Sequence, residues 1–500
     1  MEDTRIAMNP NRIARYLDKL PEEFTKRDLI KFIEENGIEM VNFRYIAGDD
    51  RLKTLNFVIN SKADLDRLLS TGERADGSSL FSYIDAGSSD VYVIPRYKTA
   101  FVNPFTSIPT VDILCSYYTK EGTPLPSSPE NIIRKAHEAL KNSTGFGFEA
   151  MGELEYYVFA DRQDLYPTTV QKGYHESPPF SKWEQLRCEA MHAVAQAGGK
   201  IKYGHSEVGN IREEDREMEQ NEIEFLPVPV EDAADQMVIA KWMLRMIGYK
   251  YGLTVSFAPK IVVGHAGSGL HIHTKLVKDG KSVMIEGDRL SDAARKAIAG
   301  YLSLAPSLTA FGNTVPVSYL RLVPHQEAPT NICWGDRNRS VLVRVPLGWL
   351  GAENMAKDAN PREKGEESLS GDSQTVEFRC SDGSANLYLL LAGLTVAARH
   401  GLEMPDALDV AEKLYVDVNI FDDEHKAVQE KLPQLPASCW ESADHLLRDR
   451  AIYEKDGVFP AAAVDGIAQN LKAYDDKDLS ERLYGKEDEI RKLVEKHLHC

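Results

Sequence analysis

The stretch ELEYYVF at residues 153–159 carries two glutamates two positions apart on an otherwise apolar segment. Successive side chains of a β-strand point to opposite faces of a sheet, so Glu153 and Glu155 lie on one face while their apolar neighbours hold the strand in place. The same spacing of polar residues recurs in three further strand-like segments, which are EIE (222–224), HIH (271–273) and EFR (377–379). Four such segments, with carboxylates and imidazoles among them, predict a sheet that holds metal ions in a cavity.

The ligand types in this predicted cavity are mainly carboxylate oxygens with one imidazole. Such ligands suit Mg²⁺ or Mn²⁺, whereas a zinc site more often contains cysteine or several histidines. Taken alone, Glu153 with Glu155, or His271 with His273, is more typical of a solvated strand face than of a metal site. The metal interpretation is favoured because glycines precede the histidines in GHAGSGLHIH (264–273), and glycine lets backbone approach a ligand closely.

A group of arginines supports an anionic ligand at the same site: Arg321, Arg337, Arg339 and Arg344. Guanidinium groups bind phosphate or carboxylate, and the apolar, strand-like context of RNRSVLVRVP (337–346) makes a salt-bridged surface a weaker explanation. Gly280-Lys281-Ser282 resembles the end of a phosphate-binding loop, but Lys275 stands where that loop needs glycine, so a hairpin turn is predicted instead. A nucleotide would therefore bind through metal ions and arginines.

The bulk composition restricts the class of protein. The chain has 500 residues, 43% hydrophobic and 27% charged, with a formal net charge of −18. An acidic chain does not favour nucleic acid as a partner. The first residues lack the apolar core of a secretory signal, and the longest apolar run, 387–398, is too short to span a bilayer. Six scattered cysteines fit a reducing compartment, so we expect a cytoplasmic protein without a membrane partner.

Helix and strand patterns divide the chain into two expected domains of an α+β protein. A small unit over 1–125 contains short helices, one with a capping box of Thr25 and Asp28, and several strands, and it ends in the linker GTPLPSSPE (122–130). The remainder, 126–500, alternates strands and helices, one of which is predicted over 291–304.

Polar composition also predicts exposed parts of the chain. The charge-rich segments 210–220 and 352–374 are predicted to be mobile insertions, 479–497 a solvated surface helix, and Cys500 part of an exposed tail.

Eight motifs occur in an order that resembles the glutamine synthetase family, most closely its prokaryotic type I form. They are DGSS (76–79), ELEYYVF (153–159), HSEV (205–208), QNEIEF (220–225), GSGLHIH (267–273), RLVPHQEAP (321–329), RNRSVLVRVP (337–346) and VEFR (376–379). The resemblance implies a small N-terminal β-grasp domain followed by a catalytic domain with a curved antiparallel sheet and flanking helices. It also implies active sites between subunits of a homo-oligomer, usually a dodecamer of two hexameric rings.

The resemblance implies roles for individual residues. Two or more Mg²⁺ or Mn²⁺ ions per site would be held by two sets of ligands: Glu155, Glu207 and Glu222, and Glu153, His271 and Glu377. The ATP-binding residues would be His273, Arg339 and Arg344. The residues around the other substrates would be Asp90, Gly267, His271, Arg321 and Arg379. The catalytic residues would be Asp76 of an adjacent subunit at the ammonium site, Glu327 on a closing flap, and Arg339.

The implied reaction converts ATP, glutamate and ammonia into glutamine, ADP and phosphate. A carboxylate does not react with ammonia at neutral pH because its leaving group is oxide, and phosphorylation to γ-glutamyl phosphate supplies a good leaving group. Metal ions and arginines offset the repulsion between the carboxylate and the γ-phosphate.

The chain departs from the family pattern at three positions. Ala266 replaces an asparagine near the glutamate substrate, Thr375 an arginine facing ATP phosphate, and Ser206 the second histidine of a His-His-Glu motif. Arg362 or Lys364 is a possible replacement for the missing arginine. The context of Tyr415 differs from that of the modified tyrosine of type I enzymes, so no nucleotidylation is expected there.

Three other functions stay open at this point. The first is a γ-glutamyl ligase for a larger amine such as a polyamine, and the second a catalytically silent structural or regulatory relative. The third, a plain two-metal hydrolase, does not explain the arginines or DGSS.

Overall fold

Two separate sheets organise the computed structural model, which describes residues 5–81, 83–84, 89–323, 328–348, 355–362 and 373–500. The strands are β1 (Met40–Ile46), β2 (Leu52–Val58), β3 (Glu73–Asp76), β4 (Asp90–Pro95), β5 (Phe101–Val102), β6 (Thr110–Tyr118), β7 (Gly147–Asp161), β8 (Ile201–Arg212), β9 (Arg216–Phe225), β10 (Val228–Pro229), β11 (Thr254–Ser256), β12 (Leu270–Lys278), β13 (Lys281–Ser282), β14 (Ile285–Glu286), β15 (Arg289–Leu290), β16 (Trp334–Asp336), β17 (Val343–Val345) and β18 (Val376–Phe378). The helices are α1 (Arg12–Leu17), α2 (Lys26–Glu35), α3 (Lys62–Thr71), α4 (Pro129–Thr144), α5 (Glu184–Gln196), α6 (Val230–Tyr251), α7 (Asp292–Gly312), α8 (Ser318–Arg321), α9 (Met355–Ala359), α10 (Leu387–Glu403), α11 (Ala407–Lys413), α12 (Lys426–Gln429), α13 (Cys439–Glu454), α14 (Ala461–Lys472), α15 (Leu479–Leu483) and α16 (Glu487–Lys496). None of the helices in these ranges combines the length and apolarity needed to cross a membrane.

The N-terminal sheet has the strand order β2-β1-β6-β4-β3, with β5 added to β6. The pair β1–β6 is parallel and the other pairs are antiparallel. Helices α2 and α3 bury Phe32 and Leu69 in the same core as Phe43 and Val93 of the sheet. The predicted capping box at the start of α2 is confirmed, since Thr25 and Asp28 each accept from the other's backbone N–H.

The larger sheet has the order β16-β17-β18-β12-β7-β9-β8 and is antiparallel except for β16–β17. One face carries apolar side chains that are buried against the helices, including Leu154, Ile223, Ile272 and Phe378. Because side chains alternate along each strand, the polar residues between them face the other side of the sheet. The core thus lies on one face, and the opposite face is available for a site.

Buried ion pairs connect the N-terminal unit to the helices of the larger one. The Arg96 guanidinium donates to both carboxylate oxygens of Asp235 on α6, at 2.6 and 2.8 Å. The Tyr388 hydroxyl on α10 donates to the same carboxylate at 2.6 Å. Lys241 of α6 lies 2.9 Å from Asp50 in the β1–β2 turn. These contacts fix the two units relative to each other, and the boundary at residue 125 stays a prediction.

Three predictions about exposed or interrupted segments are wrong. Residues 210–220 are not a mobile insertion but form the end of β8, a tight turn and the start of β9, and Met218 is fully buried. Helix α7 continues past residue 304 to Gly312, with Pro306 inside it. Cys500 is not in an exposed tail, because its carbonyl accepts from Arg245 and its side chain packs near Ile261.

The other polar segments are partly described. The C-terminal helical segment is divided into α15 and α16, and Val494 of α16 is buried against Val315 and Val317. Of the segment 352–374, only 355–362 and 373–374 lie within the described residues. The turn at Gly280 connects β12 to β13 as a hairpin, as predicted.

Candidate active site

Strand register gathers the polar residues of the larger sheet into three rows on its open face. The first row is His205, Glu222 and Glu155, directly opposite one another on β8, β9 and β7. The second row is Glu224, Glu153 and His271 on β9, β7 and β12. The third row is His273, Glu377 and Arg344 on β12, β18 and β17. Residues opposite each other on neighbouring strands have Cβ atoms about 4.5–5.5 Å apart, so each row brings distant parts of the chain into contact range.

These rows form the floor of a cavity of about 2150 Å³. Its lining includes eleven of the residues expected at the site, which are Glu153, Glu155, Glu207, Glu222, Gly267, His271, His273, Arg321, Arg339, Arg344 and Arg379. Glu377 lies beneath this lining and is fully buried. One side of the cavity is therefore acidic and the other basic.

The acidic side contains a group around Glu222. The Nε2 atom of His205 lies 3.2 Å from Glu222 Oε1, and its Nδ1 atom lies 4.0 Å from Glu207 Oε1. Burial, and then the nearby charges of Glu153, Glu155 and Glu207, raise the pKa of Glu222 well above its ordinary value. Carboxylates crowded in this way repel one another unless a proton or a cation lies among them.

A second group surrounds Glu153. Its two carboxylate oxygens each lie 2.9 Å from an imidazole nitrogen, one of His271 and one of His273, and His271 Nδ1 is also 3.4 Å from Glu377. Burial alone would raise the pKa of Glu153, but the imidazoles of His273 and His271 hold it well below its ordinary value. Despite its burial, the pKa of His273 is raised, chiefly by Glu153.

Both groups have donor atoms suited to a divalent cation. In each of two sets, Glu153 with His273 and Glu377, and His205 with Glu207 and Glu222, one potential ligand atom per residue lies within 4.8 Å of the others. Oxygen donors with a minority of imidazoles fit Mg²⁺ or Mn²⁺. The ligand roles assigned by resemblance stay predictions, and the geometry adds His205 and His273 to the candidate donors.

Glu155 lies between the two groups. Its carboxylate accepts from the Gly269 amide at 2.8 Å and from the Gln220 side chain at 3.0 Å. His271 Nε2 is 4.0 Å from its other oxygen. These donors fix the orientation of the carboxylate.

A bulge in β8 sets the position of Glu207. Pairing with β9 is regular from Tyr203 to Ser206, which lies opposite Asn221, and resumes at Asn210 opposite Glu219, so three residues of β8 oppose one of β9. Gly209 lies in the bulge, where a Cβ atom would be 2.0 Å from the Tyr157 hydroxyl oxygen and 2.4 Å from the Gln220 Oε1 atom. Only glycine fits this close approach without a shift of Tyr157, Gln220 or the strand.

The basic side is held by buried contacts. Arg344 and Arg379 both donate to the Glu377 carboxylate, Arg344 at 2.9 Å. Arg321 donates to the carbonyls of Cys380 and Arg379, at 2.8 and 3.3 Å. A Cβ atom at Gly269 would lie 2.6 Å from Arg321 Nη2, so this glycine makes room for the guanidinium. Arg339, by contrast, is exposed at the edge of the cavity.

Some expected site residues do not reach this cavity within one chain. Asp76 and Asp90 are opposite each other on β3 and β4, and both are exposed on the N-terminal sheet. The hydroxyls of Ser79 and Ser78 donate to the Asp76 carboxylate and hold its pKa far below its ordinary value, so it carries a negative charge. Glu327 lies outside the described residues.

The contacts of Thr375 and Ala266, two residues that depart from the family pattern, are defined in the structure. The Thr375 hydroxyl lies 2.9 Å from His273 Nδ1, and it is buried beside the cavity. The backbone of Ala266 donates to Gln171 at 2.7 Å and accepts from Tyr157 at 2.8 Å, so its position is fixed although it has no polar side chain. Of the two residues considered as replacements for the missing arginine, Arg362 is exposed and is not among the described residues that line the cavity. The other, Lys364, lies outside the described residues.

The sequence interpretation missed several residues that line the cavity: Lys172, Tyr174, Lys202, Tyr203, His205 and Lys260. The segment His205-Ser206-Glu207 has the same two-residue spacing as the four segments that predicted the metal site. That spacing was the available signal for His205. No comparable signal exists for the lysines and tyrosines, because they come from separate loops and strands.

Comparison with known protein families gives two matches. Residues 37–120 match the model described as glutamine synthetase, beta-Grasp domain, and residues 126–484 match glutamine synthetase, catalytic domain. The chain is similar to the glutamine synthetases of Clostridium saccharobutylicum (28% identical over 433 residues, 85% of this chain and 89% of the relative) and Mycolicibacterium smegmatis (29% over 480 residues, 87% and 92%).

Solved structures show the same fold. A Plasmodium falciparum glutamine synthetase superposes with a TM-score of 0.74 at 19% identity, over 92% of this chain and 99% of that one. An apo GmaS structure superposes with a TM-score of 0.69, also at 19% identity and with the same coverage. The predicted architecture of a β-grasp domain followed by a catalytic domain with a curved sheet is thus confirmed, and the chain belongs to the glutamine synthetase family.

Proposed function

We propose that this protein condenses glutamate with ammonia at the expense of ATP, through γ-glutamyl phosphate. Members of its family are ligases that bind ATP and divalent metal ions. The observation that carries the proposal is the meeting of the carboxylate rows with Arg321, Arg344 and Arg379 in one cavity. Acidic residues alone would suit a metal hydrolase, whereas buried guanidinium groups beside them provide for a carboxylate substrate and a phosphoryl group.

The acid substrate would be held by Arg321 and Arg379. Both guanidinium groups are largely buried, and burial strengthens their interaction with a carboxylate because the local dielectric constant is low. Arg321 is fixed by backbone carbonyls, which bring no negative charge of their own. Among the described residues, Arg321 thus has no hydrogen-bonded carboxylate partner, although the buried Asp382 carboxylate lies near enough to interact with its charge, and Gly267 makes room for its side chain.

The metal ions of this family would be held by the two groups around Glu222 and Glu153. When bound, such ions neutralise phosphate oxygens and hold the two reacting groups together. Arg344 and Arg339 would contact the phosphates from the basic side. His273, fixed between Thr375 and Glu153, would complete the nucleotide site.

Asp76 would enter the site from a second copy of the chain. It is charged and exposed, and it lies outside the cavity of its own chain, as expected for a residue that acts in a neighbour. A carboxylate beside the acyl phosphate attracts ammonium and accepts its proton, which makes neutral ammonia the nucleophile. Asp90 would lie next to it, and Glu327 would close the site. A ring-shaped homo-oligomer, as in type I enzymes, provides this arrangement.

A second candidate is a γ-glutamyl ligase for a larger amine. Ala266 favours it, because a methyl group replaces the carboxamide that family members place beside glutamate. The fold similarity to GmaS shows that the fold alone does not choose between the two.

A substrate panel tests the proposal. Purified protein with Mg²⁺ or Mn²⁺ and ATP is assayed for phosphate release and for the product mass with glutamate plus ammonium, methylamine, putrescine or spermidine. We expect glutamate-dependent phosphate release that is largest with ammonium, and glutamine as product. Glu153→Gln serves as the inactive control. Higher turnover with one of the amines supports the second candidate, whereas phosphate release without glutamate, or none at all, contradicts both.

A further inference from the structure

The imidazole of His205 occupies an unusual position beside the acidic group of Glu207 and Glu222. It stands in the same cross-strand row as Glu222 and Glu155, with its Nε2 atom 3.2 Å from Glu222 Oε1. Its ring is surrounded by the rings of Tyr174, His175 and Tyr203, whose centroids lie 5.4, 4.4 and 5.9 Å away. These rings lie within stacking range of the imidazole.

The hydrogen bond on the other side of the ring identifies the tautomer. His205 Nδ1 lies 3.1 Å from the carbonyl oxygen of Ser206. A carbonyl only accepts, so Nδ1 carries the proton, and in the neutral ring Nε2 presents a lone pair. Nε2 faces Glu222 Oε1 at 3.2 Å, a separation at which either a proton or a cation lies between the two atoms.

The spacing suits two ligands of one ion. In octahedral coordination with bonds of about 2.0–2.2 Å, adjacent ligand atoms lie roughly 3 Å apart. The separation of 3.2 Å between Nε2 and Glu222 Oε1 agrees with this value, and Glu207 offers a further oxygen within 4.8 Å of both. Histidines that bind metals usually donate their other N–H to a carbonyl or carboxylate, as His205 does.

We propose that His205 is a nitrogen ligand of the metal ion held by Glu207 and Glu222. This inference rests on the proposed function only in assuming that a divalent ion binds there. The nitrogen changes the selectivity of the site, because imidazole favours later transition metals over Mg²⁺, whereas three carboxylates alone favour Mg²⁺ and Mn²⁺. The site would thus be a mixed oxygen and nitrogen site rather than an all-carboxylate one.

The test measures metal binding without turnover. Protein labelled with ¹⁵N-histidine is loaded with Mn²⁺, and histidine nitrogen couplings to the ion are recorded by electron–nuclear double resonance. We expect His205→Asn to remove one class of coupling, to weaken Co²⁺ binding by at least about tenfold in calorimetry, and to affect Mg²⁺ binding less. The control is His192→Asn, which changes an exposed histidine on α5 and should alter neither measurement.

Unchanged couplings and affinities in a folded His205→Asn protein would overturn the inference. If that variant does not fold, crystals of the wild-type protein soaked in MnCl₂ decide the matter by anomalous scattering. A manganese peak about 2.0–2.2 Å from His205 Nε2 supports the inference, and a peak beyond hydrogen-bond distance, or no peak beside Glu222, refutes it. These results do not depend on activity, so failure of the substrate panel and failure of this inference are distinguishable.

Discussion

Replacing Asp235 by asparagine should destabilise the protein by about 3–5 kcal/mol, because it leaves a buried guanidinium without its counter-charge. The Asp235 side chain is 8% exposed and that of Arg96 is 21% exposed, so water cannot easily replace the lost carboxylate. Asparagine still offers an oxygen to the Tyr388 hydroxyl, so the variant removes the charge and keeps that hydrogen bond. The matched control is Asp232→Asn, which breaks the neighbouring pair with Lys98. Its side chains are 30% and 38% exposed, and its loss should cost less than about 1 kcal/mol.

The assay is denaturant unfolding followed by tryptophan fluorescence. Trp242, one of five tryptophans in the chain, packs edge-on against Phe105 of the N-terminal unit at 5.3 Å, so separation of the two units changes part of the emission. Protomer and metal concentrations are held constant because both ligand binding and assembly contribute to stability. A double variant, Arg96→Met with Asp235→Leu, should recover part of the loss and retain a cost of about 1–3 kcal/mol for the unpartnered Tyr388 hydroxyl. Equal effects of Asp235→Asn and Asp232→Asn would refute the reasoning.

The cavity leads to expectations about pH, affinity and assembly. Burial and neighbouring carboxylates raise the pKa of Glu222, so in metal-free protein its protonated form stabilises the fold and is lost as pH rises through that pKa. In thermal melts, the stability of Glu222→Gln relative to wild type should therefore increase with rising pH. A stability difference that does not change with pH would contradict this. Arg379→Met should raise the KM for the acid substrate at least about tenfold, because it removes a charged hydrogen bond of about 1.5–3 kcal/mol. The control Arg337→Met, at the exposed edge of the cavity, should leave this KM unchanged. Equal KM values for the two variants would count against a role of Arg379 in binding the acid. Assemblies mixed from inactive Asp76→Asn and inactive Glu153→Gln subunits should regain about a quarter of the wild-type activity. Random mixing leaves both halves intact in about that fraction of the sites between subunits. If no activity returns, the site is not shared between subunits.

Residue patterns predicted the floor of the site because strand register is a local property. Two-residue spacing placed Glu153 with Glu155 and His271 with His273 on one face, and antiparallel pairing then aligned them. The motif order added Glu207, which spacing alone does not place, since its position depends on the β8 bulge.

Three errors have identifiable physical causes. The turn between β8 and β9 is rich in charge, which masked the buried residues on either side of it. The helix predicted over 291–304 stops two residues before Pro306, whereas α7 continues through this proline to Gly312. Arg245 donates to the carbonyl of Cys500, and the Ser256 hydroxyl donates to the carbonyl of Leu498 nearby. These partners are distant in the sequence, so no local pattern predicts the position of Cys500.

Gly209 shows how a chain of this family could lose its chemistry while every acidic residue remains in place. A single methyl group there would lie 2.0 Å from the Tyr157 hydroxyl oxygen, so either that ring or the bulge that carries Glu207 would have to shift. Judging whether a divergent homologue is still an enzyme therefore requires inspection of this small, uncharged position as well as the ligands themselves.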